Sequence, residues 1–415
     1  MRLRLTRSVA LLCLAVLLVT APVFAGCGGG DGDAANRVTI GYLGDFTGAA
    51  SLPCQDLYKG LTDYFAMVEE DDPIPGVDLK MVHYDTRMDY SRAPGAFEWL
   101  RGQGSDIFFN FSPIFSQILA DKHEQAEIPA FSLVTTPDLM QREWFTSYSV
   151  DYPSEAEVAI YWIVNEWWDY EAMDRAPVVG HMGCSGYESS TQIRDKLEEV
   201  HTADPTKFEL KQTFAPAGTT TWATELSQMI DCDIMLVNLL GPQPAILLRE
   251  ATNRGYEGAF LGTSLCFGGS WELIKSAAAQ LSDLDGALLM HAHPIFTDDI
   301  PFTELVEENL ERYRSDEDID RLAWTYFNAQ EMAMILVDII RRAALEVGPE
   351  NIDCAALYDA AQSIDMTLEG WGEPLKYHNG LNVLHRTLRV IEYRVDGDQG
   401  DWYGVTDWIM PPSLE

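Results

Sequence analysis

The sequence predicts an α/β protein built from two doubly wound, Rossmann-like lobes. The chain has 415 residues, which is more than one hydrophobic core usually organises. Aliphatic and aromatic residues make up 47% of it, enough to fill packed cores. Short apolar runs of strand character alternate with amphipathic helical runs, and this alternation is typical of parallel sheets covered on both faces.

The first 26 residues are predicted to be a signal peptide. The segment "MRLRLTR" carries three arginines and no acidic residue, and the apolar run "SVALLCLAVLLV" follows it. This run is too short to cross a bilayer comfortably, and no later stretch approaches about 18 uncharged apolar residues. We therefore expect an exported protein with a soluble body.

The segment "FAGC" at the end of this region resembles the lipobox of bacterial lipoproteins. The resemblance implies that Cys27 is acylated and becomes the new N-terminus. Residues 27–36, which are rich in glycine, then form a flexible tether to the cell membrane. An ordinary signal peptide with Cys27 as an unmodified thiol is the alternative.

The first lobe begins with the strand "RVTIGYLGDF" at residues 37–46. The helix after it is amphipathic, because its apolar residues recur at helical spacing on one face. The face consists of Leu57, Leu61, Tyr64, Phe65 and Val68. The alternation continues with a strand at 78–86, a helix at 93–103, a strand at 106–111, a helix at 115–127 and a strand at 129–136.

The pattern restarts after "WFTSYSVDYPSEAE", which predicts the second lobe. Helices are expected at 157–168, 189–200, 223–230 and 243–255, and strands at 177–183, 208–215, 233–240, 259–264 and 286–294. Two further helices at 324–346 and 354–364 and a strand at 385–397 come last. Periodicity alone leaves open which sheet these late elements join.

Five segments occur in the order and spacing of type I periplasmic binding proteins: "IGYLGDFTG", "DIFFNFSP", "IPAFSLVTTPDL", "FAPAGTTTW" and "AFLGTS". Over about residues 37–400 the chain resembles the branch typified by the leucine/isoleucine/valine-binding proteins of ABC importers. The resemblance implies two lobes joined by a three-stranded hinge, with a ligand cleft between them. It assigns residues 37–152 and 293–382 to lobe 1, and residues 153–292 and 383–415 to lobe 2.

The formal net charge of −37 makes nucleic acid an unlikely partner, because such a surface repels phosphate backbones. The resemblance implies a monomer that takes up a small amino-acid-like, carboxylate or amide ligand and delivers it to an ABC permease. A sensory module that reports to a membrane receptor or kinase is the alternative function.

The resemblance places an anion cradle at the start of one helix. Ser112 and Ser116 fall where family members have a serine loop, at a helix N-terminus that favours a carboxylate. Thr135 and Thr136 fall where the family completes this cradle. Simple helix capping is the alternative for each serine.

Aromatic residues are the next candidates for the ligand-binding set. Tyr187 falls where the family places a ring on the ligand, and Phe46, Trp222 and Phe267 could add walls. For Tyr187, packing in the core or on the surface is the alternative.

One position departs from the amino-acid-binding members. They commonly have an acidic residue after the "FLGT"-like strand to hold the ligand ammonium, and here the position is Ser264 or Leu265. Asp45 and Glu188 are the nearest acidic substitutes. The ligand is thus expected to be a carboxylate without an amine, an aromatic acid or an amide, with a branched-chain amino acid as a further candidate.

No pattern predicts catalysis, a cofactor or a metal site. The segment "GCSGY" lacks the second glycine of a nucleophile elbow, and there is no phosphate-binding loop or dinucleotide fingerprint. The pair His291 and His293 shares one strand face, but a spacing of two is weak support for a metal site.

Five cysteines remain in the exported body, which is an odd number, so at least one thiol stays free within a single chain. Cys184 and Cys266 both follow strands of the second lobe and could pair. The five are Cys54, Cys184, Cys232, Cys266 and Cys354.

Overall fold

The computed structural model describes residues 36–48, 50–216, 218–264, 267–317, 319–377 and 380–414. The predicted signal peptide, Cys27 and the tether up to residue 35 lie outside these ranges, as does Cys266. Cys54, Cys184, Cys232 and Cys354 are free thiols. Over the described ranges, no helix combines the length and the apolar character needed to cross a membrane.

The strands, in chain order, are β1 (Asn36–Gly44), β2 (Val77–Asp85), β3 (Ile107–Asn110), β4 (Ala130–Val134), β5 (Phe145–Ser149), β6 (Val178–Cys184), β7 (Glu209–Ala215), β8 (Ile234–Asn238), β9 (Ala259–Gly262), β10 (Leu288–His291), β11 (Asp365–Met366), β12 (Leu375–Lys376), β13 (Val383–His385), β14 (Arg389–Asp396) and β15 (Gln399–Gly404).

The α-helices are α1 (Ser51–Asp71), α2 (Ala93–Gly102), α3 (Pro113–Ala126), α4 (Tyr152–Trp162), α5 (Tyr170–Met173), α6 (Glu188–Ala203), α7 (Ala223–Met229), α8 (Gln243–Asn253), α9 (Trp271–Ala277), α10 (Pro301–Arg314), α11 (Ile319–Val347) and α12 (Cys354–Gln362).

The strands form two large sheets. The first, in the order β13-β5-β4-β3-β1-β2, is parallel throughout. The second, in the order β15-β14-β10-β9-β8-β6-β7, is parallel from β10 to β7 and carries β14 and β15 as antiparallel strands at its other edge. The predicted fold class, α/β with two doubly wound lobes, is confirmed.

Each face of the first sheet has its own core. Ile107 and Phe109 of β3 pack in one core with apolar residues of α1 and α11. Phe108, between them, packs in another core with residues of α2 and α3. Because neighbouring side chains on a strand point to opposite faces, a strand buried on both sides reads as a continuous apolar run.

Over the described residues, the chain passes between the two sheets three times, after β5, after β10 and after β13. The late helix α11 packs on α1 of the first sheet, where the Gln330 side chain donates to the Gly60 carbonyl at 2.8 Å. The third crossing was expected near residue 382. β13 instead adds to the first sheet, with His385 opposite Ser149 of β5, so the chain crosses after His385.

Several elements were not predicted, among them β5, α10 and β15. Serine and threonine make up three of the five residues of β5, although all five are buried, and these hydroxyls hide the strand from an analysis of hydrophobic periodicity. In α10 the apolar stripe is narrow, with Phe302, Val306 and Leu310 buried among acidic residues.

Candidate ligand-binding cleft

A cavity of about 220 Å³ opens between the two sheets, and we call it the cleft. The loops after β2, β3 and β4 line it from the first sheet, and the loops after β6 and β8 line it from the second. The carboxyl ends of strands are where open α/β sheets bind ligands. The lining residues are Pro53, Met88, Tyr90, Phe111, Ser112, Pro113, Ile114, Thr136, Tyr152, Gly186, Tyr187, Glu188, Ser189, Gln192 and Leu240.

Most of this wall is apolar or aromatic. Tyr90, Phe111, Tyr152 and Tyr187 bring rings from both sheets and from the first crossing between them. Among the described lining residues Glu188 alone carries a charge, and it is exposed. Apolar walls with a few polar groups suit a small amphipathic molecule.

The lobe 1 side of the cleft contains the start of α3. Ser112 is its N-cap, and the Ser112 Oγ accepts the backbone N–H of Ile114 at 3.3 Å. Pro113 has no N–H, and the N–H of Phe115 donates to the Ser112 carbonyl at 3.1 Å. The first amides of α3 are thus already engaged, so the donor that this turn can direct at an anion is the Ser112 hydroxyl proton.

The start of α6 faces the cleft from lobe 2. Tyr187 occupies its N-cap and forms no side-chain cap to the first amides, which therefore carry the positive end of the helix dipole. The Ser189 Oγ accepts from Asn238 Nδ2 at 3.0 Å. Gln192 Nε2 donates to Glu188 Oε1 at 3.5 Å. Within the described residues, the buried Gln192 Oε1 has no hydrogen-bond partner.

The two threonines of the expected cradle separate. Thr136 lines the cleft, and its Oγ1 accepts from Gln117 Nε2 at 3.2 Å and from the backbone N–H of Leu139 at 3.3 Å. Its own hydroxyl proton can therefore point elsewhere. Thr135 is fully buried outside the lining, and its Oγ1 donates to the carbonyl of Thr136 at 3.3 Å.

Ser116 also lies outside the cleft, contrary to the expectation for the serine loop. It is fully buried, accepts from Asn110 Nδ2 at 3.1 Å and donates to Ser132 Oγ at 3.2 Å. One helical turn beyond the cap, its side chain faces the sheet. Ser116 therefore ties α3 to β3 and β4.

Asp45 is a turn residue rather than a cleft residue. Its carboxylate accepts three backbone N–H groups between β1 and α1, from Thr47, Gly48 and Ala50. The side chain is fully buried. Both oxygens are committed to this turn, so the expected role of Asp45 as a partner for a ligand ammonium is not supported.

Phe46 lies on the outer side of the same turn. Its ring packs against His83 at 4.3 Å and Tyr58 at 5.5 Å between centroids, and it does not line the cleft. The expected wall role of Phe46 is therefore replaced by packing against α1 and β2.

Trp222 and Phe267 belong to the core of the second sheet. Both are fully buried in one apolar cluster, and neither lines the cleft. The Phe267 ring packs against Trp271 at 5.8 Å and over Gly262, where a Cβ would lie 2.2 Å from the ring. Both rings fill the core, so the expected role of Trp222 and Phe267 as walls of the cleft is not supported.

Ser264 lines a second, smaller cavity of about 40 Å³, which we call the hinge cavity. It adjoins the cleft, because Pro53 and Phe111 line both. Leu265, the other residue expected at this position, lies outside the described residues. The hinge cavity is also lined by Leu57, Leu133, Val134, Ser149, Gly269, His291, His293, Thr325 and Asn328.

Eleven of the fifteen lining residues lie outside the set expected from the sequence, and five of them show why. Phe111 directly follows β3, so the rule on carboxyl ends could have found it. Tyr152 and Gln192 lie on helices, and Tyr90 lies in a short helical turn, where pattern analysis finds no cleft signal. Met88 has a φ of 51°, a left-handed backbone conformation that methionine rarely adopts and that the sequence does not predict.

A family model described as periplasmic binding protein matches residues 37–399. A branched chain amino acid ABC transporter from Thermus thermophilus with bound valine is 17% identical with a TM-score of 0.76, covering 92% of this chain and 98% of that one. A comparison with curated proteins found no match.

Two further solved structures share the fold. A fatty acid ABC transporter substrate-binding protein from Thermomonospora curvata is 15% identical, with a TM-score of 0.76 and coverage of 91% of this chain and 93% of that one. A solute binding protein from R. palustris in complex with 4-hydroxybenzoate is 13% identical, with a TM-score of 0.72 and coverage of 91% and 98%.

Proposed function

The chain belongs to the periplasmic binding protein family, and on this premise we propose that it is the extracytoplasmic solute-binding protein of an ABC importer. It captures a small carboxylic acid with an apolar, preferably aromatic body by closure of the two lobes, and delivers it to the transmembrane permease subunits.

The observation that carries this proposal is the composition of the cleft. Rings from both lobes face an apolar space, and the helices α3 and α6 both begin at its wall. The uncapped N-terminus of α6 and the hydroxyls of Ser112 and Thr136 favour an anionic group. The apolar remainder favours a flat hydrocarbon body, which gains about 25 cal/mol per Å² on burial.

A free amino acid fits this cleft less well. The ammonium of an amino acid needs a desolvated carboxylate or several acceptors, and the carboxylate of Asp45 is committed to its turn. Glu188 is exposed at the rim. The buried Gln192 Oε1 is an acceptor, which suits a ligand hydroxyl or amide N–H.

The solved relatives support an acid as the shared chemistry. One of them holds valine, another holds 4-hydroxybenzoate, and a third is named for fatty acids. All three ligand types carry a carboxyl group. The wall of this cleft selects among them by its rings.

We also propose that the mature protein is anchored to the membrane through an acylated Cys27 and faces the extracytoplasmic side. The support is the lipobox-like "FAGC" after a signal-like segment. Mass spectrometry of the mature N-terminal peptide tests this, with Cys27→Ser as the variant that should be released from membranes. An N-terminal peptide that carries an unmodified Cys27 would contradict it.

The decisive experiment is a ligand panel on the mature soluble body after removal of co-purified molecules. The panel contains benzoate, 4-hydroxybenzoate, cyclohexanecarboxylate, octanoate, benzamide and valine, measured by thermal unfolding and calorimetry. At one hundred times Kd a ligand adds about 2.7 kcal/mol of stability. We expect the aromatic acids to give the largest rise in Tm.

The matched pairs in the panel separate the contributions. Benzamide tests the need for a carboxylate, and cyclohexanecarboxylate tests the need for a flat ring. A response to valine alone would replace the aromatic acid by an amino acid. No response to any acid would contradict the proposal.

A further inference from the structure

Three titratable side chains meet in the interior beside the hinge cavity, and we call them the hinge cluster: His293, Glu331 and His385. All three are buried, and Glu331 has no exposed surface. Glu331 lies on α11, His293 follows β10, and His385 ends β13. The cluster therefore joins the long helix of the first lobe to the second and third crossings between the sheets.

The donor atoms of His293, Glu331 and His385 have nearly the arrangement of a metal site. One donor atom from each residue lies within 4.8 Å of the other two. His293 Nδ1 and Glu331 Oε2 are 3.5 Å apart, and His385 Nε2 and Glu331 Oε1 are 2.8 Å apart. Metal bonds of about 2.0–2.2 Å place two ligands of a tetrahedral ion about 3.3–3.6 Å apart. The first pair already has that separation.

Two of these atoms have unmet bonding capacity. Within the described residues, Glu331 Oε2 and His293 Nδ1 are buried and have no hydrogen-bond partner of good geometry, and the same holds for the Tyr148 hydroxyl, which interacts with Glu331. Burial of an unpaired polar atom costs about 1–3 kcal/mol. A cation between the two atoms would satisfy both at once.

The surrounding residues hold the ligands in place. Trp371 Nε1 donates to Glu331 Oε1 at 2.5 Å. The ring of Tyr148 stacks on His293 at 4.4 Å and an interplanar angle of 7°. Contacts of this kind, made to the ligands and not to the metal, fix the orientation of the ligands and support the affinity for the metal. The nearby Arg389 is paired with Asp298, so its charge is partly neutralised at the cluster.

A fourth ligand is available from the hinge cavity, which His293 itself lines. Its volume of about 40 Å³ exceeds the roughly 10–15 Å³ that one water molecule needs. The cavity lies beside the cleft, because Pro53 and Phe111 line both.

From this geometry we propose that His293, Glu331 and His385 bind one divalent transition-metal ion, with Zn²⁺ as the best fit. Two imidazoles and one carboxylate form a donor set that Zn²⁺ accepts, with water in the fourth position. The ion would brace two of the three crossings. The site is independent of the proposed solute, and it departs from the sequence-based expectation of no metal.

The first experiment titrates Co²⁺, a spectroscopic substitute for Zn²⁺, into the chelator-treated mature body at about 0.15 M salt with excess Mg²⁺. Salt and Mg²⁺ suppress weak binding to the acidic surface. We expect one equivalent of Co²⁺ to bind, with the visible absorption of four-coordinate cobalt, and Zn²⁺ to displace it. Absence of a saturable one-to-one band overturns the proposal.

Variants assign the band to the cluster. His385→Asn removes a ligand and should abolish the band. Trp371→Phe removes only the hydrogen bond from Trp371 to Glu331 and should weaken the affinity for Co²⁺ about 10–100-fold. His181→Gln removes a buried imidazole elsewhere and should leave the band unchanged. Circular dichroism checks that each variant folds. A band that persists in folded His385→Asn overturns the assignment.

Discussion

Ser264 donates its backbone N–H to Glu155 Oε1 at 2.9 Å, across 109 positions of the chain. The Glu155 side chain is buried at the start of α4, and its Oε2 has no hydrogen-bond partner among the described residues. Burial raises the pKa of Glu155 to about 7, although the Ser264 contact opposes the rise. The first crossing thus has a carboxyl group that titrates near neutral pH.

The variant Glu155→Gln should change how stability depends on pH. The folded protein holds this proton more tightly than the unfolded chain does. The protonated Glu155 therefore stabilises the folded state fully below the unfolded pKa of about 4.3, and this stabilisation is lost as pH rises through about 7. Between pH 4 and 8 the wild type should lose up to about 3 kcal/mol relative to Glu155→Gln.

Urea unfolding at several pH values measures this difference. Glu166→Gln, which removes one exposed carboxylate, is the control and should keep the wild-type profile. Parallel pH profiles for Glu155→Gln and the wild type would show that Glu155 does not titrate in this range.

Asp45→Asn should destabilise the protein without weakening ligand binding. The carboxylate accepts three backbone N–H groups, and an amide oxygen cannot replace both carboxylate oxygens. A loss of about 1–3 kcal/mol in the free energy of unfolding is expected. Calorimetry with the best acid of the panel should show an affinity within about twofold of the wild type.

The control for this variant is Glu188→Gln, which changes a carboxylate at the rim of the cleft and should leave stability within about 0.5 kcal/mol. A large loss of affinity in Asp45→Asn at unchanged stability would return Asp45 to the ligand-binding set.

Ser112→Ala and Ser116→Ala should separate binding from stability within one loop. Ser112 lines the cleft and offers a hydroxyl proton to an anion, so removal of the hydroxyl should weaken acid binding about tenfold. The same substitution also removes the N-cap of α3. Ser116→Ala breaks contacts with Asn110 and Ser132 and should cost about 1 kcal/mol of stability.

Calorimetry and urea unfolding on both variants check this pair. The affinity of Ser116→Ala should match that of the wild type. Equal affinity losses in the two variants would mean that the loop acts on the ligand only through its overall shape.

Gly60→Ala should destabilise the contact between α1 and α11. A Cβ at this position would lie 2.5 Å from the Cβ of Ala329 and 2.9 Å from the carbonyl oxygen of Tyr326. We expect a loss of about 1–3 kcal/mol from overpacking. Gly95→Ala on α2 is the matched control, because no atom lies within 4 Å of its added Cβ.

Thermal and urea unfolding compare the two glycine variants. Gly95→Ala should gain about 0.4–1 kcal/mol, since alanine loses less backbone entropy on folding. A stable Gly60→Ala would show that the two helices separate easily.

Local pattern was sufficient for most of the fold. Continuous apolar runs located the central strands, because such strands are buried on both faces, and the restart of the alternation separated the two sheets. Hydrophobic periodicity failed to identify β5, because hydroxyl groups replace apolar ones in this buried strand. Those hydroxyls are tolerated because partners distant in the chain, such as Tyr377 for Thr146, satisfy them.

The candidate site was predicted only in part. Ser112, Thr136, Tyr187 and Glu188 lie in the cleft because each follows the carboxyl end of a strand. Ser112 is the N-cap of α3 and has an extended backbone, whereas Ser116 lies inside the helix, where its side chain is buried against β3 and β4. Residue type and position in a loop do not report this difference.

Local periodicity and strand direction were sufficient to predict the two-sheet α/β architecture and the edge of each sheet where a ligand would bind, and five segments in order identified the family. Which side chains line the cleft and which fill a core was set by the tertiary structure. It alone brought Glu331 to His385, 54 positions apart. Contacts of that kind depend on how α11 packs against the crossings between the sheets, and no local pattern encodes such packing.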